Sequence, residues 1–312
     1  MKSPLKKNKT KIIFFGTHKF AATILQALLA EPSFEVKLVI TAPDKPAGRK
    51  QEMQKSLVKI MAEKHGLKIE QPQSLKNYTL HANRYTLGIT AQYGGLIPKH
   101  LFDTPTHGIL NVHTSLLPKY RGAAPIQTAI MNGETETGVT IMKMDAGLDT
   151  GPILSQKKLL IGPDEMYPEV EAKLAHLGVA ALLEAIPKYL AGELEPKSQD
   201  ESQATDCKQL TREDGRIDWR RSARDIYNQY RALTPWPGVW TMWQNKRLKL
   251  LRLKPTEIKL APGQVKTDTG RCLIGAGQGA IEALDLQLEG KKPMTVEIFL
   301  LGAKEFATSI LV

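Results

Sequence analysis

Apolar positions follow two alternating rhythms along the first 190 residues. Residues 11–17 form an apolar run that closes at Gly16, as a buried strand does, and residues 20–30 place apolar side chains at helical spacing among good helix formers. Residues 36–41 return to the strand rhythm, 53–66 to the helical one, and 88–92 form a further strand. Strands alternating with helices predict an α/β fold with a right-handed, doubly wound, largely parallel sheet. Two more apolar runs, 109–113 and 138–144, read as strands. Pro125 stands where a helix start tolerates a missing N–H, and Gly133 stands where a C-terminal cap belongs. Helical spacing returns from 166 to 190. Polar residues then accumulate over 197–206, the composition of a solvated connector. A helix near 222–233 precedes five short alternating segments, 238–243, 247–253, 262–267, 271–275 and 280–287, punctuated by Gly, Pro and Asp, which suggest a small β-barrel.

Composition narrows the class. The chain has 312 residues, enough for two domains, with 42% hydrophobic and 24% charged residues, as in a globular protein. It has no run of 18 apolar residues, so no membrane span is expected. The first nine residues are basic but have no apolar core, no cleavage site and no arginine. They read as a short basic tail (1–10) and not as a secretory signal or a mitochondrial presequence. The two cysteines, Cys207 and Cys272, form no Cys-x-x-Cys and the histidines no His-x-x-x-His, which fits a reducing cytoplasm and no metal. His65, His81, His100, His107 and His176 read as surface or loop histidines, and so does His18, the one nearest the expected site. The net charge is +11; from residue 206 onward 18 Lys and Arg face 12 Asp and Glu, so the C-terminal third is about twice as basic per residue as the rest. Such a surplus favours polyanions without identifying one.

The candidate chemistry starts at the end of the 109–113 run. Asn111 and His113 lie two apart, on one face of a strand, while Val112 faces the other way. The carboxyl end of a strand is where open α/β sheets bind ligands. An amide donor beside an imidazole suits chemistry in which a carbonyl oxygen acquires charge. Thirty-six residues after His113, Asp149 lies in a loop between Gly147 and Gly151. Its carboxylate has two uses: to return to the imidazole and orient it, or to bond its own backbone as a turn residue. Spacing does not decide between them. The first turn, Gly16-Thr-His-Lys-Phe20, lacks Gly-x-Gly-x-x-Gly and is not read as a dinucleotide site. Its glycine lets a helix pack on the strand.

Asn111-x-His113-x-Ser115-Leu-Leu-Pro118, Tyr120-Arg-Gly-Ala-Ala-Pro125 and Gly147-Leu-Asp149-Thr-Gly151 resemble the 10-formyltetrahydrofolate-dependent formyltransferases. The resemblance spans nearly the whole chain after residue 10, from Lys11-Ile-Ile-Phe-Phe-Gly-Thr17 through Pro43–Arg49, Tyr93-Gly94 and Pro98 to Gly215-Arg-Ile-Asp-Trp219, Pro235-Trp-Pro237 and Gly290-Lys-Lys-Pro-Met294. Within the superfamily it is to the branch acting on charged initiator tRNA. It implies a Rossmann-like catalytic domain over 11–190, a linker over 191–209, and a C-terminal OB-type β-barrel over 210–312 that grips tRNA. It implies a catalytic trio of Asn111, His113 and Asp149. Ser115, Leu116, Leu117, Pro118, Tyr93 and Gly94 would line the folate site, although Ser115-Leu-Leu-Pro118 by itself reads as a loop anchor. The basic loop 43–50 would supply tRNA contacts through Lys45, Arg49 and Lys50, and the barrel through Arg247 and Lys249. The chain departs from the pattern at Lys45, where relatives commonly carry arginine, and at Gln92, where they carry a small apolar residue. Trp236, Trp240 and Trp243 interleave with Arg231, Lys246, Arg247 and Lys249, which suits an acceptor end; Trp236, in its Pro-Trp-Pro setting, reads instead as packing a domain junction. The implied protein is a cytoplasmic monomer that uses 10-formyltetrahydrofolate as formyl donor, without metal or membrane. The alternatives are a formyltransferase acting on a small amine (an amino-sugar nucleotide or glycinamide ribonucleotide), a 10-formyltetrahydrofolate hydrolase, or a non-catalytic tRNA-binding protein.

Overall fold

Ile12, Ile13, Phe14 and Phe15 have no solvent-accessible surface. Their continuous apolar run is what a central strand covered on both faces requires. The computed structural model describes residues 9–47, 51–81, 84–268 and 270–312. In chain order the elements are β1 (Thr10–Gly16), α1 (Lys19–Ala30), β2 (Phe34–Ile40), β3 (Lys45–Ala47), β4 (Glu52–Gln54), α2 (Leu57–Lys64), β5 (Ile69–Glu70), β6 (Leu87–Ala91), β7 (Ile109–His113), β8 (Arg121–Gly122), α3 (Pro125–Met131), β9 (Glu136–Lys143), β10 (Ile153–Leu160), α4 (Tyr167–Leu190), β11 (Asp206–Cys207), α5 (Ala223–Leu233), β12 (Val239–Trp243), β13 (Lys246–Thr256), β14 (Val265–Asp268), β15 (Arg271–Gly275), β16 (Ala280–Leu288), β17 (Met294–Thr295) and α6 (Val296–Gly302), with short 3-10 turns between some of them.

The chain divides into two units. The first comprises Met1–Pro125, Glu136–Leu160 and Glu171–Cys207; the second comprises Ile126–Thr135, Ile161–Val170 and Lys208–Val312.

The first unit is built on a seven-stranded sheet in the order β10-β9-β7-β6-β1-β2-β5. The five strands from β7 to β5 are parallel, and β9 and β10 are antiparallel. The chain leaves β1 toward β2 and then returns to β6 on its other side. The carboxyl ends of β1 and β6 therefore flank the topological switch point. Gly16 serves the close approach read from sequence: a Cβ there would lie 2.7 Å from that of Ala21 in α1. The expected helix over 53–66 begins later, at Leu57. Ser56 caps it by accepting from the Lys59 N–H at 3.0 Å, and residues 52–54 pair with 45–47 as a hairpin. Residues 197–207 also differ from a solvated connector. Lys197 exchanges both backbone bonds with Ile153, and β11 pairs in parallel with β8.

In the second unit α5 starts at Ser222, whose hydroxyl accepts from the Asp225 N–H at 3.0 Å. The helix packs with an antiparallel sheet ordered β12-β13-β16-β15-β14, with β17 paired to β16. The gap between its edge strands is spanned by the last residues: Val265 donates to Ser309 O, and Met242 to Val312 O. Trp243, Phe299 and Phe306 meet edge to face with centroids 5.6, 5.3 and 5.1 Å apart, each such pair contributing about 0.5–1.5 kcal/mol. Two expectations need correction here. Trp236, expected to pack, is 56% exposed. Arg231 offers nothing to a nucleic acid, being buried with its guanidinium donating to Gly162 O, Glu165 O and Asn228 Oδ1.

Candidate functional site

Strand β7 carries Asn111 and His113 to the carboxyl end of the sheet, with β6 on one side and β9 on the other. His113 is 6% exposed and Asn111 half-buried. Asp149 reaches both from the loop after β9. Asn111 Nδ2 donates to Asp149 Oδ1 at 3.1 Å, and His113 Nδ1 lies 3.6 Å from Asp149 Oδ2. The Asp149 carboxylate therefore lies beside the imidazole. Its Oδ2 also accepts from the Gly122 N–H at 2.9 Å. The far ring nitrogen of His113, Nε2, lies 3.0 Å from Tyr120 O; a carbonyl only accepts, so this nitrogen carries a proton.

The backbone that makes this possible is unusual. Asp149 and Tyr120 hold left-handed conformations, φ +54° and +61°. Gly122, at φ +116°, has no room for a side chain, because a Cβ would stand 2.3 Å from Cys207 O. The strand pair β8–β11 thus fixes the amide that holds the carboxylate. Tyr120 N donates to Thr205 Oγ1 at 2.9 Å, and Arg121 N to Thr205 O at 2.8 Å.

The other expected residues divide. Ser115 is buried and donates to Lys119 O at 2.6 Å, and Thr140 Oγ1 joins Ser115 O and Leu117 N. This is the loop-anchor use of the segment; Leu116 and Pro118 keep part of their surface exposed. The Tyr93 ring turns inward, edge to face with Phe15 at 5.9 Å, and its carbonyl accepts from Thr17 Oγ1 at 2.6 Å. Gly94 follows exposed at φ +76°, and Leu96 beyond it is 84% exposed. Leu148, beside Asp149, is 68% exposed. Gln92, at φ +38°, directs its amide to Glu171, 3.4 Å away. His18 lies at the surface beside this end of the sheet. Loss of water holds it below its ordinary pKa, Glu171 acting against this and Lys45 with it.

Lys45 is exposed on β3. Its neighbour Asp44 is tied to Lys59 at 2.6 Å and to Gln71 at 2.9 Å, and the Lys59 bond lowers its pKa most. Arg49 and Lys50, like residues 1–8 of the basic tail, lie outside the described residues. In the second unit the Arg247 guanidinium lies 4.0 Å over the Trp240 ring, and Arg247 and Lys249 line one surface groove with Met242, Gln287 and Glu289. Trp240 and Trp243 are buried and spend their N–H groups on Arg212 O and Ser309 Oγ, so they pack the fold and do not stack on a ligand. Among the described residues no group of three His, Cys, Asp or Glu is placed to hold a metal, and no helix is long and apolar enough to cross a membrane.

Sequence reasoning missed Gln199, Thr205 and the structural work of Arg121. Arg121 lies inside a quoted motif; Gln199 and Thr205 sit in a polar stretch that carries no pattern pointing to them.

The sequence profile described as "Formyl transferase" matches residues 10–186, and that described as "Formyl transferase, C-terminal domain" matches 209–304. The methionyl-tRNA formyltransferase of Acidobacterium capsulatum is 45% identical over 300 residues, covering 94% of this chain and 96% of that protein. The protein of the same name from Streptococcus thermophilus is 43% identical over 298 residues, with 94% and 96% covered. Among solved structures, the N-formyltransferase from Helicobacter canadensis in complex with folinic acid and dTDP-3-aminofucose aligns with a TM-score of 0.67 at 20% identity, covering 88% of this chain and 98% of that one. A sugar 3N-formyl transferase solved in the presence of dTDP and 5-N-formyl-THF aligns with a TM-score of 0.68 at 21% identity, covering 92% and 100%. At that identity the two structures speak for the fold alone.

Proposed function

Because this chain belongs to the formyl transferase family, we propose that it transfers the formyl group of 10-formyltetrahydrofolate to the free amino group of methionyl-initiator-tRNA, giving N-formylmethionyl-tRNA for translation initiation. The observation that carries the reading is the convergence of Asn111, His113 and Asp149 at the carboxyl end of β7. It occurs in a chain 40 to 45% identical, over nearly its whole length, to relatives named for that activity.

The residues fit the reaction. An α-amino group titrates near ~8, so a useful fraction is neutral at cytoplasmic pH and no strong general base is required. Attack on the formyl carbon places negative charge on its oxygen. Asn111 carries two N–H donors, one committed to Asp149, and the other serves the oxyanion. A well-placed donor of this kind contributes about 3–4 kcal/mol. The attacking amine must lose one proton and the departing N10 of tetrahydrofolate must gain one; His113 moves it, its Nε2–H turning from Tyr120 O to N10 and being replaced from the amine, while Asp149 orients the ring. The exposed Leu96 and Leu148, with Leu116 and Pro118, give the carboxyl end of the sheet apolar surface for a folate ring.

The catalytic work belongs to the first unit and the tRNA grip to the second, aided by Lys45 and the loop after it. Lys45 keeps a positive charge there but lacks the planar fork of arginine. The protein acts as a monomer in the cytoplasm.

The test is to incubate the protein with charged initiator tRNA and labelled 10-formyltetrahydrofolate, without added metal. Label should reach the methionyl amine, chelator or not. Release of labelled formate without any acceptor, or transfer only to an amino-sugar nucleotide or to glycinamide ribonucleotide, would replace this reading.

A further inference from the structure

The loop that carries Asp149 has little to hold it internally. Asp145 Oδ1 accepts from Gly147 N at 3.1 Å and from Thr150 Oγ1 at 2.7 Å, and neither bond fixes the main chain at 149. That main chain is held by Gln199. Its Nε2 donates to Asp149 O at 2.7 Å and to Gly151 O at 2.8 Å. Its Oε1 accepts from Arg121 Nε at 3.1 Å and Nη2 at 2.8 Å. Arg121 is 6% exposed, and its other donor pair engages both oxygens of Glu201 at 2.8 and 2.7 Å.

The amide orientation follows from its neighbours. Two carbonyls can only accept and a guanidinium can only donate, so nitrogen faces one side and oxygen the other. A glutamate has nothing to donate to the carbonyls, and a lysine nothing to accept the guanidinium. One carboxamide therefore spans the two backbone segments that set the carboxylate's place. One is the loop bearing Asp149. The other is β8, whose Gly122, next to Arg121, donates to Asp149 Oδ2.

We propose that Gln199 is a positioning residue for formyl transfer: by clamping the Asp149 loop to Arg121, it sets the distance of the carboxylate from Asn111 and His113. This rests on the reading of Asp149 as part of the catalytic trio. Displacement of reacting groups by about 1 Å costs on the order of 100-fold in rate, so the clamp acts on kcat.

Two variants of the full chain test it. Gln199→Glu keeps the acceptor for Arg121 and opposes both carbonyls; Gln199→Met keeps the length and removes both functions. Each should lower kcat for formylation of charged initiator tRNA by 10- to 100-fold, with KM for folate and tRNA little changed and amide exchange faster across 147–151 in the free protein. In an Asp149→Ala background the same changes should cost almost nothing more, because residues acting as one unit are non-additive. Wild-type kcat in both variants, or a full multiplicative loss on top of Asp149→Ala, overturns the proposal. Unchanged exchange across 147–151 shows that Gln199 does not hold the loop and overturns it independently of any activity. If Asp149→Ala itself turned over normally while exchange rose in the Gln199 variants, the catalytic reading of the trio would fail and the clamp alone would stand.

Discussion

Asn111 and His113 each meet Asp149 through a single contact, at 3.1 and 3.6 Å, so the carboxylate is the group that joins the three. His113→Ala, Asn111→Ala and Asp149→Ala should each lower kcat by at least about 100-fold, the scale of one lost oxyanion donor. The melting transition should persist, since none of the three belongs to the apolar core. Near-normal turnover by His113→Ala in the formyl transfer assay would falsify the mechanism. A second prediction concerns Cys272, fully buried in β15, whose thiol burial pushes up to about 12. The unfolded chain releases this proton near 8.5. The sign follows: below pH 8 both states keep the proton and nothing changes, whereas between about 9 and 12 only the folded state keeps it. Stability falls there as pH rises, by up to about 1.4 kcal/mol per unit. Denaturant titrations of wild type and Cys272→Ala at pH 8 and 10 should show a smaller loss in the variant; equal losses would exonerate the thiol. At this scale only the placing of 111 and 113 on one face was legible from spacing, through strand alternation; Asp149 joined them through the family resemblance. Whether Asp149 turned to them or to its own backbone was not legible, since that depends on a φ of +54° that no spacing encodes.

Elements with a strong apolar period were legible to within a residue or two. β7 spans 109–113 as read, and α4 runs over 167–190 against an expected 166–190. The start of α2 was misjudged because a helical period does not show where a hairpin ends; Ser56, the N-cap directly before Leu57, whose hydroxyl accepts from the N–H three residues on, was the overlooked mark. The stretch 197–207 was illegible for another reason. A polar composition serves a solvated connector and a bonded strap equally well, and here its partners lie about eighty residues upstream at β8. Gly122 gives that strap a test. Alanine there must push the Cys207 carbonyl away and adopt a strained φ, a cost of about 1–3 kcal/mol. Gly122→Ala should therefore lower Tm by about 2–4 °C per kcal/mol, and lower kcat with it, because the Gly122 amide holds Asp149. Calorimetry with parallel rate measurements checks both, and an unchanged Tm would mean that β8 and β11 part without cost.

For the whole molecule, the +11 charge and the basic C-terminal third favoured a polyanion, but charge did not say which side chains were free to meet one. The fold removes Arg231 from that set and places Arg247 and Lys249 beside one groove, with Arg247 also 3.4 Å from Glu213. Arg247→Ala and Lys249→Ala should each weaken tRNA binding and flatten log K against log salt by roughly 0.9 per lost duplex contact, or 0.7 for a single strand. Slopes identical to wild type would take β13 out of the grip. The division into units has a different consequence. Residues 126–135 and 161–170 belong to the second unit, where Arg231 holds the carbonyls of Gly162 and Glu165. A ribosome makes about 5–20 residues each second, so Glu165 leaves it roughly 3–13 s before the arginine that will bind it. Through that interval the buried Ala129 and Ile130 of α3 have no second unit to enter. The nascent chain thus carries an apolar segment that waits on its own C-terminal third.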